Sequence, residues 1–595
     1  MKKLILLLLT TLLPLAASAY DIEARNADGD TIFYNFINDS TELAVTLCDE
    51  RISSEERKYS GDLVIPEEVT FDNKTLKVTA IGSKAFDGCT KLTSIAIPNS
   101  VTTIGDYAFW HCDTLASITI PASVVNIGYL AFLHCERLTS IEVEEGNARY
   151  DSRNDCNAII LTASNKLIKG CKETIIPSDV TIIDDWAFGY CADLTSITIP
   201  EGVTNIGNSA FTWCTGLTSL TIPQSVMNIG EWAFLHCSGL ASIQVAAGNT
   251  RYDSRDDCNA IILTGSNKLM TGCKNTTIPS GVTSISDWAF GYCYGLTSVA
   301  IPDGVTTIGE WAFGYCAGLT SVTIPSSVTS IGDWAFSGSY SLASAVVPNS
   351  VTHLGVGVFD GCAALASVTI PNGITTIGDH LFQDCAALTS VTIPDGVTTI
   401  GSYAFWGCYG LTSVTIPNSV RIIGEEAFCG CYGLPSIDIP HGVDSIGEGA
   451  FWKCFALTSV TIPHSVTAIG NYAFFNCSHL TSVTVLNPTP VAITRDVFSN
   501  RMHATLYVLK SAKQAYLNAD YWYEFKEIVE LDETGILNSQ FSILNSQFSA
   551  RPQVACKARI LNSIDSWHSL DGRKLQGKPT KKGLYIHGGR KTVVK

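Results

Sequence analysis

The sequence predicts a β-rich solenoid whose coils are 23 residues long, each a parallel strand plus a short helical turn. Three observations predict it. Phenylalanine recurs every 23 residues: Phe86, Phe109 and Phe132; Phe188, Phe211 and Phe234; then Phe290, Phe313, Phe336, Phe359, Phe382, Phe405, Phe428, Phe451 and Phe474, with a degenerate copy at Phe498. One phrase surrounds each Phe, as in Leu411-Thr-Ser-Val-Thr-Ile-Pro417 followed by Ser-Val-Arg-Ile-Ile-Gly424-Glu-Glu-Ala-Phe428. Each coil carries only some six apolar anchors, here Leu411, Val414, Ile416, Val420, Ile423 and Phe428. Burying such side chains gains about 1.5–3 kcal/mol each, whereas ordering a backbone costs about 1–2 kcal/mol per residue. One coil alone loses that contest, and stacked coils that bury each other's flanks win it. Some sixteen to eighteen coils at roughly 4.8 Å rise predict a rod on the order of 80 Å.

The elements follow in order. Met1-Lys2-Lys3, the apolar run Leu4–Leu13 and Ala17-Ser18-Ala19 have the three-part plan of a secretory signal peptide over residues 1–19, cleaved between Ala19 and Tyr20. The run is too short to span a bilayer, and no later segment reaches spanning length. Residues 20–78, with Thr31-Ile-Phe-Tyr-Asn-Phe-Ile37, read as an N-terminal β cap. The array occupies 79–485. Two spacings, Phe132 to Phe188 and Phe234 to Phe290, are 56 residues, so 33 are inserted near 143–176 and 245–278. The inserts are near-copies, and each predicts a hairpin protruding from the stack, with about one extra coil. Residues 486–533, with Ala504-Thr-Leu-Tyr-Val508, Trp522 and Phe525, predict a C-terminal cap. Residues 534–550, Ile-Leu-Asn-Ser-Gln-Phe-Ser written twice, read as a low-complexity linker. Residues 551–595 hold eleven Lys and Arg against Asp565 and Asp571, a net of +9 in a chain of net −17.

The phrases Leu-Thr-Ser-Val-Thr-Ile-Pro, Ile-Gly and Ala-Phe-x-x-Cys resemble the BspA-like leucine-rich repeat, a family of bacterial surface proteins. The resemblance extends from about Ile81 to Val485 and to the C-terminal cap. It implies leucine-rich-repeat-like coils, a place at the cell surface, and adhesion to host matrix or cell-surface proteins. The tail, with Leu570-Asp-Gly-Arg-Lys-Leu575 and Gly583-Leu-Tyr-Ile586, resembles the end of a type IX sorting domain over some 26 residues. A secreted, surface or outer-membrane-associated protein is expected, and a monomer.

Fourteen of the 21 cysteines stand three residues after a repeat Phe, from Cys89 to Cys477, with Ser339 in that place in one coil. Stacked at strand spacing of about 4.8 Å, their Cβ atoms stay farther apart than the roughly 3.8 Å of a disulfide. A column of small buried thiols is expected, and a column does not converge on a metal. Cys156–Cys171 and Cys258–Cys273 bracket the insert hairpins, and cross-strand disulfides compete there with free thiols. Cys48, Cys429 and Cys556 have no evident partner.

Three surface columns are candidates for binding. Ser and Thr of the strand phrase, such as Ser413 and Thr415, form an outward hydroxyl ladder that suits a polysaccharide or ice, and equally a soluble sheet face. Aromatics two residues before Phe (Trp186, Trp232, Trp288, Trp311, Trp334) and two after it (Tyr292, Tyr315) form rows that suit a sugar or a protein partner, or packing of the turn. The lapse to Gly357, Glu426 and Gly449 in the first row favours binding over packing. The acidic column three before Phe reads as charges at the N-termini of helical turns. No catalytic constellation, phosphate loop, cofactor motif or metal-ligand set is found, and the acidic array disfavours nucleic acid. An exported binding protein is expected, with a glycan-binding accessory protein of polysaccharide use as the rival.

Overall fold

The computed structural model describes residues 20–47 and 59–532, together with the backbone of three short strands beyond them. The signal peptide with Ala19, Cys48, Cys556, the linker and most of the basic tail lie outside the described residues. The chain divides into two compact units, 1–535 and 536–595. Of the second, Trp567–His568, Gly583–His587 and Arg590–Val594 form a three-stranded antiparallel sheet.

In the first unit most coils contribute to two sets of parallel strands. The strand phrase supplies one, as where Ser436–Asp438, Ser459–Ile462 and Ser482–Val485 pair in register 23 residues apart. The Ile-Gly step supplies the other, through Thr376–Ile377, Thr399–Ile400, Ile422–Ile423, Ser445–Ile446 and Ala468–Ile469. Glycine ends this second strand because a Cβ on Gly424 would lie 2.6 Å from the backbone of Gly401 below it.

The expected helical turn around Phe takes the form of successive tight turns. The N–H groups of Glu426, Phe428 and Gly430 donate to the carbonyls of Glu448, Ala450 and Trp452 on the next coil, at 2.7–2.8 Å. The N–H groups of Cys429 and Cys431 turn back to the carbonyls of Glu426 and Phe428. Amides that serve the neighbouring coil cannot also close an i→i−4 ladder, so no helix propagates. The residues two before and two after Phe take left-handed backbone, as at Glu426 (φ 47°) and Gly430 (φ 76°).

Sixteen repeat phenylalanines are buried. Within each uninterrupted run their rings stack at 4.9–5.8 Å with planes within 20°. The Phe+3 thiols are buried beside them. Eleven donate to the carbonyl of the preceding coil's Phe at 3.1–3.4 Å, as Cys112 does to Phe86. Ser339 makes the same bond to Phe313 at 3.0 Å, so the hydroxyl replaces the thiol without loss. Burial pushes these thiols up, Cys135 and Cys237 to about 12, which keeps them protonated and unreactive.

The insert hairpins do not protrude. Ala158–Leu161 pairs antiparallel with Tyr150–Asp151 and Lys166–Gly170, and the last strand continues in parallel with Ile182–Ile183. Ala158, Ile159 and Ile160 are fully buried. Ile159 joins the core on the N-terminal side, Ala158 and Ile160 the core on the C-terminal side. A strand apolar on both faces has to lie between two layers, and the hairpin is such a layer within the stack.

The same burial bears on the insert cysteines, for which the sequence leaves disulfides and free thiols both open. Cys156 and Cys171 are free, and Cys258 and Cys273 likewise. Cys171 packs with Ile159 into one core while Cys156 packs with Ala158 and Ile160 into the other. The two thiols therefore sit on opposite faces of the layer. Their sulfurs approach carbonyls, Cys171 that of Asn157 at 3.5 Å and Cys156 that of Ala158 at 3.9 Å. Cys258 and Cys273 divide between two cores in the same way.

At the N-terminal end Ile22–Arg25, Thr31–Ile37 and Glu42–Thr46 form an antiparallel meander. Its last strand runs parallel to Lys74–Ile81, which starts the Ile-Gly sheet. At the other end Thr505–Leu509 and Glu527–Leu531 extend the strand sheet, with helix Lys513–Leu517 beside them. Trp522 and Phe525 pack against Phe498, and the Trp522 indole N–H donates to the carbonyl of Val491 at 2.8 Å.

Candidate functional site: an aromatic grid and two insert clefts

The left-handed positions flanking Phe are where the aromatic residues stand. Trp186, Trp232, Trp288, Trp311 and Trp334 have φ of 52–60°, and Tyr292 and Tyr315 have 60° and 56°. That region costs a residue with a Cβ about 1 kcal/mol or more, and other coils fill the same places with Gly357, Gly449, Gly338 or Gly430. Indole and phenol rings are retained where glycine would be cheaper for the backbone.

The structure brings five of the seven candidate residues into one grid. Trp288 stacks on Trp311 at 4.9 Å and Trp311 on Trp334 at 5.4 Å, with planes within 11°. Tyr292 stacks on Tyr315 at 4.7 Å. The columns lie side by side, Trp288 with Tyr292 at 5.9 Å and Trp311 with Tyr315 at 5.6 Å, again nearly coplanar. All five are half-buried. Inner rings cover each other's faces, so the grid offers mainly ring edges.

Each column meets a glycine on its next coil, and beyond Gly357 the Trp334 ring reaches His380 at 5.6 Å. A Cβ on Gly357 would lie 2.3 Å from the Trp334 ring, and one on Gly338 would lie 2.6 Å from the Tyr315 ring. Gly357 is thus the seat of Trp334, which corrects the reading of this lapse as a sign against packing. The acidic column also differs from a set of helix-end charges. Oδ1 of Asp106, Asp185, Asp287, Asp333 and Asp379 accepts the N–H of the matching residue one coil on, at 2.7–2.8 Å.

The second column extends well beyond Tyr292 and Tyr315, and its three histidines escaped the sequence reading. His111, His134, Tyr190, Trp213, His236, Tyr292 and Tyr315 form one continuous run of rings, with His134–Tyr190 and His236–Tyr292 bridging the two inserts. The signal was their shared offset from Phe. Burial lowers His134 and His236 from their ordinary value to about 4, with His111 and Lys169 adding to the effect at His134. Tyr409, Tyr432 and Phe455, four after Phe on consecutive coils, form a further exposed stack at 4.8 Å spacing, which the same offset rule would have found.

Trp186 and Trp232 lie elsewhere, at two clefts. Each hairpin supplies the sheets with strands but puts no Phe turn into the turn column. Gly170 and Gly272 stand instead against Phe188 and Phe290, where a Cβ would lie 2.3 and 2.1 Å from the ring. The turns on either side are thereby held apart. The first cleft, about 340 Å³, runs between Ile127–Leu133 and Asp184–Trp186, with Lys166 and Lys169 at the hairpin. The second, about 330 Å³, runs between Ile229–Leu235 and Ser286–Trp288, with Lys268 and Thr271 at the hairpin. Trp186 is half-buried, whereas Trp232 is 51% exposed. The strand face is as expected: Ser413 and Thr415 are exposed around half-buried Val414.

Residues 66–161, 164–256, 268–389 and 375–505 match the family model described as BspA type leucine rich repeat region. A leucine-rich repeat protein from Bacteroides ovatus is 27% identical over 80% of this chain and 98% of its own, with a TM-score of 0.42. A leucine rich cell surface protein from Faecalibacterium prausnitzii is 26% identical over 70% of this chain and 93% of its own, with a TM-score of 0.37. The pneumococcal vaccine antigen PcpA is 16% identical over 86% of this chain and 99% of its own, with a TM-score of 0.32. No curated protein sequence matches the chain. Among the described residues no helix is long and apolar enough to cross a membrane.

Proposed function

The chain belongs to the BspA-type leucine-rich repeat family, and from that premise we propose that it is an exported binding module of the cell surface that adheres to host-matrix or cell-surface proteins. The signal-peptide pattern before Tyr20 supports export, and membership of a family of bacterial surface proteins supports a surface location. Binding without catalysis is the reading that the repeat architecture favours.

The observation that carries the proposal is the five-ring grid. Its rings occupy backbone that favours glycine, and all five stay half-buried at the surface of the repeat. Rigid aromatic side chains that keep a polar edge are the residues that anchor protein interfaces. Trp311 is central, touching Trp288, Trp334 and Tyr315.

The test is a screen of the purified chain against matrix proteins, repeated with Trp311→Ala. Loss of a central aromatic anchor costs about 2 kcal/mol or more, roughly thirty-fold in affinity. Matrix binding that ignores this substitution refutes the assignment to the grid.

A further inference from the structure

The two clefts differ from the grid in one respect that decides their chemistry. Within the grid each Trp face is covered by the next ring. Trp288 stacks on Trp311 with one face, while its other side borders the second cleft, across which stands Trp232 on the preceding coil. Trp232 enters no ring stack among the described residues, and it is half-exposed on left-handed backbone (φ 57°). Around these two indoles are Glu231, Asp287, Glu310 and, from the hairpin, Lys268. A volume of about 330 Å³ falls at the small end of ligand pockets, which run from about 300 to 1,000 Å³.

The duplication shows which features recur. The first cleft keeps the indole Trp186, the carboxylate Asp185 and the ammonium Lys166 at the places of Trp288, Asp287 and Lys268. An aromatic face beside an acceptor and a donor fits a ligand with an apolar C–H face and hydroxyls on its rim. An ammonium beside carboxylates in both copies suits a neutral ligand that both donates and accepts, and the three carboxylates of the second cleft make a cation the rival that the test has to exclude. A pyranose ring meets all three requirements. Its axial C–H bonds carry slight positive charge toward the negative face of the indole, and its hydroxyls donate to carboxylates and accept from ammonium.

We propose that the second insert cleft binds a hexose unit of a neutral oligosaccharide, packed against Trp232 and Trp288 and hydrogen-bonded by Glu231, Asp287 and Lys268. The site shares Trp288 with the grid and is told apart from it by Trp232 and Glu231, which the grid lacks. Leu130 replaces the second indole in the first cleft, so the second cleft is the stronger site.

The test is isothermal titration of the full chain with four hexasaccharides: β-1,4-glucan, β-1,4-mannan, α-1,4-glucan and α-1,6-mannan. Tetramethylammonium serves as the competing cationic probe. At least one saccharide binds with Kd below about 1 mM. Trp232→Ala weakens that binding about tenfold or more, Trp232→Phe retains it by keeping an aromatic face, and Tyr409→Ala, at an exposed position on another coil, leaves it unchanged. Glu231→Ala, at an exposed position, carries the test if Trp232→Ala does not fold, and it weakens the same saccharide. The proposal is overturned if none of the four binds, if Trp232→Ala or Glu231→Ala binds as well as the parent chain, or if only tetramethylammonium binds.

Discussion

His134 and His236 carry the sharpest consequence among single residues. Each is packed between aromatic rings, and burial favours the neutral imidazole, lowering both to about 4. The unfolded chain binds these protons at about 6.5. Between the two values the unfolded state holds more protons, so stability rises with pH. The contribution is complete above about pH 6.5 and is lost as pH falls toward 4. The double variant His134→Asn/His236→Asn keeps residues that tolerate left-handed backbone and removes the titration. Thermal midpoints between pH 7 and pH 4, followed by circular dichroism, should fall less steeply in the variant. Identical slopes would reject a titrating role for these imidazoles. A second prediction concerns Gly170 and Gly272. Replacing either by Ala drives a Cβ into the Phe188 or Phe290 ring, and overpacking of this kind costs about 1–3 kcal/mol. Gly265→Ala, with open space around it, is the control and should be near neutral. Denaturant midpoints distinguish the two, and equal midpoints would mean that the ring moves aside freely.

Among the elements, the hairpins explain both the thiols and the clefts. A strand with Ala158, Ile159 and Ile160 buried on both faces divides the core, and it sends Cys156 and Cys171 to opposite sides. The expected outcome of alkylation under denaturing, non-reducing conditions is that all four insert cysteines react. A pair that resists, with a mass deficit of two hydrogens, would show that the hairpin can rearrange to bridge its faces. The turn conformation explains the aromatic columns in the same terms. Because alternate amides serve the next coil, the flanking residues adopt positive φ and project side chains along the stack, so rings at one offset must meet. Glycine, histidine and tryptophan at that offset are alternative occupants of one site, and Gly357 is read correctly only beside Trp334.

The first unit taken as a whole depends on sealed ends. The strand Ser482–Val485 is covered by Thr505–Leu509, and Phe498 by Trp522 and Phe525. A chain ending at Val485 would leave parallel edges and the Phe474 ring open to solvent. Exposed edges of this kind template association, so that truncation should give concentration-dependent aggregates in light scattering while the parent chain does not. A monodisperse truncated chain would mean that the coils need no C-terminal cap.

Whatever repeats in this protein was legible from spacing. A fixed period places every coil in the same environment as its neighbours, so the Phe ladder, the thiol column, its Ser339 substitution and the register of the strand-phrase sheet follow from the period, whereas the second strand at the Ile-Gly step came only with the structure. The grid was legible for the same reason, since Trp288, Trp311 and Trp334 share one offset on consecutive coils. What happens where the period breaks was settled by packing. Each 33-residue insert can lie outside the stack or within it, and local pattern does not distinguish the two, because its apolar runs suit either. The layers before and after it decide, by burying both faces of Ala158–Leu161 and of its copy. From that choice come the opposed thiols, the glycines beneath Phe188 and Phe290, and the gap in the turn column that leaves Trp232 and Trp288 uncovered across a cleft.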